Sequence, residues 1–213
     1  MKVSIVLPCY NAEQTIARCL ASVFAQTYSV LEIIAVDDGS TDGTAALLED
    51  SIASSPFPME VIRQANRGAC AARNAGLAKA KGTYIQFMDA DDELLPEKIA
   101  HQVELAQANG LPDLIVGSSR TYRADGNLRD TDIQHQNDRD AWWDLMRHRL
   151  GGTPPNFWKR SMMEKVGGWN EAMASSQEYD LMFRFLQHDA RLIFDEAVLT
   201  VIRLQASGSV STG

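Results

Sequence analysis

The chain has 213 residues, of which 45% are hydrophobic and 8% aromatic, and this composition suits one sizeable core rather than several domains. Its 28 acidic and 20 basic side chains give a formal net charge of −8. Because nucleic-acid binding depends on Lys and Arg neutralising phosphates, this charge argues against a nucleic-acid partner. A phosphorylated ligand would instead need a metal ion to mediate its contact with the protein.

The cysteines and the amino-terminal residues indicate the compartment. Cys9, Cys19 and Cys70 form no CxxC pair, and their odd number argues against a disulfide framework. The apolar run over residues 3–7 is too short for a signal peptide or a membrane span. These features predict a soluble, cytoplasmic protein with reduced thiols.

The first 118 residues alternate between strand and helix patterns. Apolar and β-branched runs predict strands over 3–7, 31–36, 59–63, 84–88 and 114–116. Helical patterns follow residues 11 and 42 and extend over 69–80 and 96–108. The helix over 69–80 is rich in Ala and is expected to approach the sheet closely. This alternation is typical of βαβ units and predicts an α/β fold with a mostly parallel central sheet flanked by helices.

After residue 118 the pattern becomes irregular. A hairpin turn is predicted at Asp125-Gly126, helices over 138–150, 161–166 and 177–188, and strands over 157–158, 192–194 and 198–203. Residues 119–204 are expected to lie on the open edge of the first half, within the same domain. The last residues, 205–213, are rich in Ser and Gly and are predicted to be a frayed tail.

Acidic residues follow two of the predicted strands. Asp37 and Asp38 end the second strand, and Asp89 and Asp91 follow the fourth. The carboxyl ends of parallel strands share one edge of a sheet, where ligands bind in open α/β folds. We therefore expect the four carboxylates to meet at one crevice, where one could hold a divalent cation and another a second polar group. The alternative is a polar turn in which Asp92 or Glu93 caps the next helix.

Known nucleotide-binding signatures help to narrow the class of protein to which the chain could belong. Neither G-x-G-x-x-G nor G-x-x-x-x-G-K-[ST] follows the first strand, which disfavours a nicotinamide enzyme and a P-loop protein. Instead, five segments resemble, in order and spacing, the family 2 glycosyltransferases of the GT-A fold. These segments are residues 3–11, 36–42, 66–68, 72–74 and 88–92. The chain is thus similar to GT-A enzymes. The resemblance implies that residues 1–118 form a Rossmann-like half that binds the nucleotide-sugar donor (the donor half), and that residues 119–204 form a C-terminal portion that binds the acceptor.

The resemblance implies a nucleotide-sugar donor, typically a UDP-sugar, bound with Mg²⁺ or Mn²⁺. It implies that Pro8 and Tyr10, with the adjacent Asn11, lie beside the nucleobase and ribose. It also implies that Asp38, or its neighbour Asp37, accepts a hydrogen bond from the base.

The same resemblance gives roles to the fourth strand end and to one Arg. Asp89 would face the ribose, and Asp91 would hold the metal on the diphosphate, as suits a hard cation with oxygen ligands. Arg73 would add positive charge near the phosphates. The alternative for Arg73, a solvated helix-surface position, is equally favoured by the sequence.

In the second half the resemblance implies a catalytic base and an acceptor site. Glu178 stands where the family has its base, although most relatives have Asp there. Two departures from the family are Gln177, which replaces an acid, and Gln205, which replaces a His. Asn156 and Trp158 fall in the region that forms the acceptor pocket in relatives. Trp142, Trp143, Trp158 and Trp169 each offer a face on which a sugar could stack. The alternative is that they lie in the core, which is favoured for Trp142 and Trp143.

The function implied is an inverting, metal-assisted transferase that moves a hexosyl or N-acetylhexosaminyl group to a saccharide or lipid-linked acceptor, as in polysaccharide and cell-envelope synthesis. Glu178 would deprotonate the acceptor hydroxyl for a single displacement. A basic stretch over 147–165 leaves open a peripheral contact at the inner face of the cell membrane, although a solvated helical face is favoured. The alternative function is a non-catalytic nucleotide- or sugar-binding module on the same fold.

Overall fold

The computed structural model describes residues 1–135 and 140–205. The strands are β1 (Val3–Cys9), β2 (Leu31–Asp37), β3 (Met59–Arg63), β4 (Tyr84–Phe87), β5 (Glu93–Leu94), β6 (Leu114–Tyr122), β7 (Leu128–Asp132), β8 (Phe157–Lys159) and β9 (Leu192–Arg203). The helices are α1 (Ile16–Phe24), α2 (Thr44–Ile52), α3 (Ala69–Lys79), α4 (Lys98–Ala108), α5 (Ala141–Met146), α6 (Arg160–Lys165) and α7 (Gln177–Gln187). The strand-helix alternation predicted for the first half is confirmed.

The described strands form one sheet in the order β3-β2-β1-β4-β8-β6-β9-β5, with β7 paired to β6. The first four of these strands are parallel. Strand β8 runs antiparallel to β4 and to β6, between which it lies. The second half therefore continues the sheet from β4, with β8 lying between β4 and β6.

The two layers of the core follow from the alternation of side chains along β1. Val6 packs with residues of α3 and α7 on one face of the sheet. Ile5 and Leu7 pack with residues of α1 and α4 on the other face. Strands buried on both faces explain the continuous apolar runs in the sequence.

Helix α3 lies very close to the sheet, as its Ala-rich sequence predicts. A β-carbon built at Gly76 would lie only 2.4 Å from a methyl carbon of Val6. The absence of a side chain at this position therefore permits the close approach. This contact fixes the position of α3, which carries Arg73, relative to β1.

Several boundaries differ from the predicted ones. Residues 93–94 form the short strand β5, which pairs with β9, and so Glu93 does not cap a helix. The two predicted C-terminal strands form one strand, β9, whose pairing with β6 is irregular near Ser118. The predicted helix over 138–150 is shorter, and its first residues, like most of the predicted frayed tail, lie outside the described residues. Within the described part of the chain, no helix is long and apolar enough to cross a bilayer.

Candidate active site

Three of the four acidic residues expected to meet at one crevice, Asp38, Asp89 and Asp91, line the same crevice, and Asp37 does not. Strands β2 and β4 both pair in parallel with β1, so the carboxyl ends of all three strands lie at the same edge of the sheet. A crevice of about 1120 Å³ lies there, bounded on the far side by the start of α7. The predicted site residues that line it are Pro8, Tyr10, Asn11, Asp38, Arg73, Asp89, Asp91 and Glu178.

Asp38 holds the loop that precedes α3. Its Oδ1 accepts hydrogen bonds from Gln64 Nε2 at 2.7 Å and from the backbone N–H of Arg67 at 3.0 Å. Its Oδ2 accepts one from the N–H of Gly68 at 2.8 Å. The carboxylate is 2% exposed, so it orders this wall of the crevice as well as facing it.

Asp37, the alternative to Asp38, has a different environment. Its side chain is buried and accepts a hydrogen bond from the N–H of Ser40 at 3.1 Å. It is not among the residues that line the crevice. Of the two acids, Asp38 is therefore the one placed to meet a ligand.

Tyr10 and Asn11 line the crevice from the loop after β1. The Tyr10 ring is 53% exposed, which leaves a face free for stacking. Asn11 has a positive φ of 48°, and its Oδ1 accepts a hydrogen bond from the N–H of Thr41 at 2.9 Å. This bond joins the loop after β1 to the loop after β2.

Arg73 is buried, not on a solvated helical face. Its Nη2 donates to Asp89 Oδ1 at 2.7 Å, and its Nη1 donates to Gln177 Oε1 at 2.9 Å. The guanidinium carbon lies 4.7 Å from the centre of the Trp169 ring. Burial alone would lower the pKa of Arg73, but the charge of Asp89 and its hydrogen bond shift it upward. Arg73 thus remains charged and ties the donor half to the helix that carries Glu178.

Asp91 and Asp92 lie in a strongly acidic environment. Burial raises the pKa of Asp91, and the neighbouring Asp89 carboxylate raises it further. The Gln205 side chain opposes this with a hydrogen bond to Asp91. Burial and both neighbouring carboxylates raise the pKa of Asp92 well above its usual range, although it accepts a hydrogen bond from the N–H of Arg203 at 2.9 Å.

This charge distribution suits a divalent cation. Burial and the Asp89 carboxylate both disfavour the charged form of Asp91, which a bound cation would stabilise, and carboxylate oxygens are the ligands that Mg²⁺ and Mn²⁺ prefer. Among the described residues, no group of three or more His, Cys, Asp or Glu side chains could hold a metal alone. A cation at Asp91 would therefore need ligand oxygens, such as those of a diphosphate, to complete its shell.

Glu178 lies in the first turn of α7, on the opposite wall of the crevice. It also lines a second cavity of about 190 Å³, to which His148, Leu150 and Tyr179 contribute. The hydroxyl of Thr153 donates a hydrogen bond to Glu178 Oε1. A carboxylate between two cavities could remove a proton from a group bound in one cavity. The deprotonated group could then attack a ligand in the other cavity.

Two predicted acceptor residues do not face either cavity. Trp158 is fully buried among aromatic rings, with Phe87 and Phe185 in edge-on contact. Asn156 is also fully buried, where it accepts from the N–H of Gly117 at 3.0 Å and donates to the carbonyl of Leu150 at 2.9 Å. The structure places both side chains in the core. Trp158 lies on a buried side of the short strand β8, and the Asn156 amide is occupied by two backbone partners.

The other aromatic residues also differ from the prediction. Trp142 and Trp143, for which the core was favoured, are 44% and 52% exposed. The sequence reasoning also missed Thr153, whose partner lies 25 residues away. A lone Thr beside two prolines carries no local signal, so only the tertiary structure could identify this contact.

Comparison with known proteins defines the class. The model of the family "Glycosyl transferase family 2" matches residues 4–168. The chain belongs to glycosyl transferase family 2, and its fold is GT-A.

Individual relatives agree with this assignment. An uncharacterized glycosyltransferase of Haemophilus influenzae is 31% identical over 186 residues, covering 86% of this chain and 62% of the relative. S. aureus TarS, solved in complex with UDP-GlcNAc, superposes with a TM-score of 0.82 at 18% identity, covering all of this chain and 61% of that one. The mannosyltransferase PcManGT from Pyrobaculum calidifontis, solved with GDP-Man and Mn²⁺, gives 0.73 at 20% identity, covering 97% and 58%. The chain thus spans about three fifths of the length of these proteins.

Proposed function

We propose that the protein transfers a sugar from a nucleoside-diphosphate donor, a UDP-sugar, to a hydroxyl of a saccharide or lipid-linked acceptor, with inversion at the anomeric carbon. The observation that carries this proposal is the single crevice that places Asp38, Asp89 and Asp91 opposite Glu178. The family assignment supports the reaction class, and the TarS complex supports a UDP-linked donor by analogy.

The donor would lie along the edge formed by β1, β2 and β4. The exposed Tyr10 ring supports stacking with the nucleobase, and Asp38 supports recognition of an imide N–H, since a carboxylate accepts such a bond well. Asp89 would contact the ribose, with its orientation held by Arg73. Pro8 and Asn11 would shape the base pocket from the loop after β1.

Asp91 would hold Mg²⁺ or Mn²⁺ against the donor diphosphate. When bound, such an ion neutralises negative charge on the leaving diphosphate as a Lewis acid. The raised pKa of Asp91, caused by burial and by Asp89, supports a cation at this point. Because Arg73 is already paired with Asp89, it would act mainly by orienting that carboxylate and not by contacting the phosphates directly.

Glu178 would act as the base. It lines both the donor crevice and the smaller cavity beside α5, which we assign to the acceptor. An acceptor hydroxyl bound between them would lose its proton to Glu178 and attack the anomeric carbon opposite the diphosphate. One base and one displacement give inversion, since no second carboxylate is assigned as a nucleophile.

Thermal melting with UDP, GDP, CDP and ADP, each with Mn²⁺ or with EDTA, tests the donor half. A ligand at a hundred times its dissociation constant adds about 2.7 kcal/mol to the free energy of unfolding. We expect UDP to raise the melting temperature in the presence of Mn²⁺ and to lose most of this effect in EDTA. No shift with any nucleotide would contradict the donor site.

One observation favours the alternative of a non-catalytic binding module. The Gln205 side chain bonds to Asp91, the carboxylate assigned to the metal. The two functions differ in turnover. A module would bind UDP but would neither transfer nor hydrolyse a UDP-sugar, whereas an enzyme would do so and lose the activity in Glu178→Gln.

A lipid-linked acceptor would place the protein at the inner face of the cell membrane. Support comes from α5, where Trp142, Trp143 and Met146 are each at least 44% exposed. Arg147 lies over the Trp143 ring, its guanidinium carbon 4.5 Å from the ring centre. Trp and Arg side chains are typical of membrane interfaces. Flotation with vesicles of phosphatidylglycerol tests this contact, and protein that stays unbound would contradict it.

A further inference from the structure

We propose that Thr153 is a positioning residue for Glu178, and that its hydroxyl holds the carboxylate at the wall between the two cavities. This inference rests on the proposed function, in which Glu178 is the base. The Thr153 side chain is 1% exposed and donates its hydroxyl proton to Glu178 Oε1. A buried hydroxyl with one carboxylate partner restricts that partner more strongly than a mobile water molecule could.

The position of Thr153 is fixed by the residues that follow it in the same loop. The carbonyl of Pro154 accepts a hydrogen bond from Gln86 Nε2 at 2.7 Å. The carbonyl of Pro155 accepts hydrogen bonds from Lys98 Nζ and, at 3.3 Å, from Gln102 Nε2. All three donors are buried, so the loop is held by the core and not by solvent-exposed contacts.

Packing against β6 restricts the loop further. A β-carbon at Gly117 would lie 2.1 Å from the carbonyl oxygen of Pro155, so the loop can occupy this place only because position 117 has no side chain. The Asn156 side chain bonds to the backbone at Gly117 and at Leu150, on both sides of the loop. Thr153 is therefore held at a rigid point of the fold.

The consequence for Glu178 is that one oxygen is occupied and the other is available. Within residues 1–135 and 140–205, Glu178 Oε2 has no hydrogen-bond partner. A Glu side chain at the start of a helix otherwise rotates about its χ angles and spends part of its time away from the reacting atoms. The bond from Thr153 selects the rotamers that keep the free oxygen beside the acceptor hydroxyl.

Without this hydroxyl, the base would be present but badly placed. A misplacement of about 1 Å costs on the order of 10²-fold in rate. We expect Thr153→Val, which removes the hydroxyl and keeps the shape, to lower kcat by roughly 10- to 100-fold. The KM for the UDP-sugar and the melting shift with UDP and Mn²⁺ should stay unchanged, because Thr153 does not line the donor crevice.

The experiment measures the steady-state release of UDP from a panel of UDP-hexoses and UDP-N-acetylhexosamines, in the presence of Mn²⁺, by the full chain and its variants. Thr153→Ser keeps the hydroxyl and should retain kcat within about threefold of wild type. Thr200→Val is the matched control, because Thr200 is also fully buried and its hydroxyl has no partner in the described structure. Its kcat should not change. If Thr153→Val fails to fold, Thr153→Ser and Thr153→Ala replace it as a pair, since they differ only in the hydroxyl.

Each outcome decides between the two proposals. Rescue by Ser with loss in Val or Ala supports the positioning role, because a purely structural defect would not follow the hydroxyl. Wild-type kcat in Val, or equal loss in Ser and Ala, overturns this inference and leaves the proposed function in place. A folded wild type that binds UDP without any turnover overturns both, because Glu178 is then not a base.

Discussion

Arg73, on helix α3, donates a hydrogen bond to Asp89 at 2.7 Å. The sequence of this helix alone does not show whether Arg73 is buried or solvated. Only 6% of the Arg73 side chain is exposed, against 34% of the Asp89 side chain. The guanidinium also bonds to Gln177, the residue just before Glu178. One Arg thus orients both Asp89, the proposed ribose contact, and the start of the helix that carries Glu178, the proposed base.

Arg73→Met is therefore expected to affect both stability and catalysis. It leaves Asp89 and Gln177 without their shared donor, and the free energy of unfolding should fall by about 1–3 kcal/mol. The KM for the UDP-sugar should rise because Asp89 loses its orientation. Urea unfolding and steady-state kinetics measure the two effects. Arg67→Met is the control, since Arg67 pairs with Glu171 at the exposed surface, where such a change costs at most about 1 kcal/mol. Equal effects of the two substitutions would contradict this role of Arg73.

Asp91→Ala should remove the proposed metal contact. We expect a loss of roughly 10²- to 10⁴-fold in rate, or about 3–5 kcal/mol of barrier, with a folded protein. The Mn²⁺ dependence of the UDP melting shift should disappear in the same variant. Asp50→Ala, an exposed acid on α2, provides a control of equal charge change. Turnover near the wild-type level in Asp91→Ala would exclude the metal role.

Asp38 holds the loop before α3 and is also the proposed contact for the nucleobase, and Asp38→Asn should weaken both interactions. The amide can accept at one oxygen only, whereas the carboxylate accepts from Gln64, Arg67 and Gly68. We expect the loop before α3 to loosen, the free energy of unfolding to fall by about 1–3 kcal/mol, and the UDP melting shift to shrink. Hydrogen exchange at the amides of residues 67 and 68 should become faster. An unchanged UDP shift would show that Asp38 does not contact the base.

Trp158 should behave as a core residue. Trp158→Ala is expected to lower the free energy of unfolding by about 3–5 kcal/mol, because a large buried ring leaves a cavity among Phe87 and Phe185. Trp142→Ala, at a position that is 44% exposed, should change it by less than about 1 kcal/mol. Denaturant titrations of both variants test this order. A stable Trp158→Ala variant with weakened acceptor binding would restore the acceptor role predicted from the sequence.

The contrast between these residues shows what the sequence could and could not predict. The strand pattern and the acids that follow β2 and β4 were predictable, because a parallel sheet brings its carboxyl ends together whatever the loops do. The burial of Trp158 and the exposure of Trp142 were not predictable, because a three-residue strand and a six-residue helix give too few positions to define a buried face. Contacts such as that of Thr153 with Glu178 depend on tertiary structure alone.

Lys98 gives a pH dependence with a defined sign. It is fully buried, donates to the carbonyl of Pro155, and has its pKa lowered by burial from 10.5 to about 7, although Asp195 opposes the shift. Because the folded pKa lies below the unfolded one, the unfolded chain binds more protons between pH 7 and 10.5. The contribution of Lys98 to stability therefore rises with pH in this window, by at most about 1.4 kcal/mol per pH unit.

Lys98→Met should remove this dependence while keeping the volume of the side chain. Urea unfolding of wild type and variant at pH 7 and pH 9 isolates the effect, because the other titrating groups are common to both. The difference in free energy of unfolding, wild type minus variant, should grow by about 2–3 kcal/mol between the two pH values. Lys79→Met, at an exposed position on α3, should leave that difference constant. A flat difference for Lys98→Met would mean that the lysine keeps its charge when buried, and that Pro155 and Asp195 together stabilise the ammonium in the folded protein.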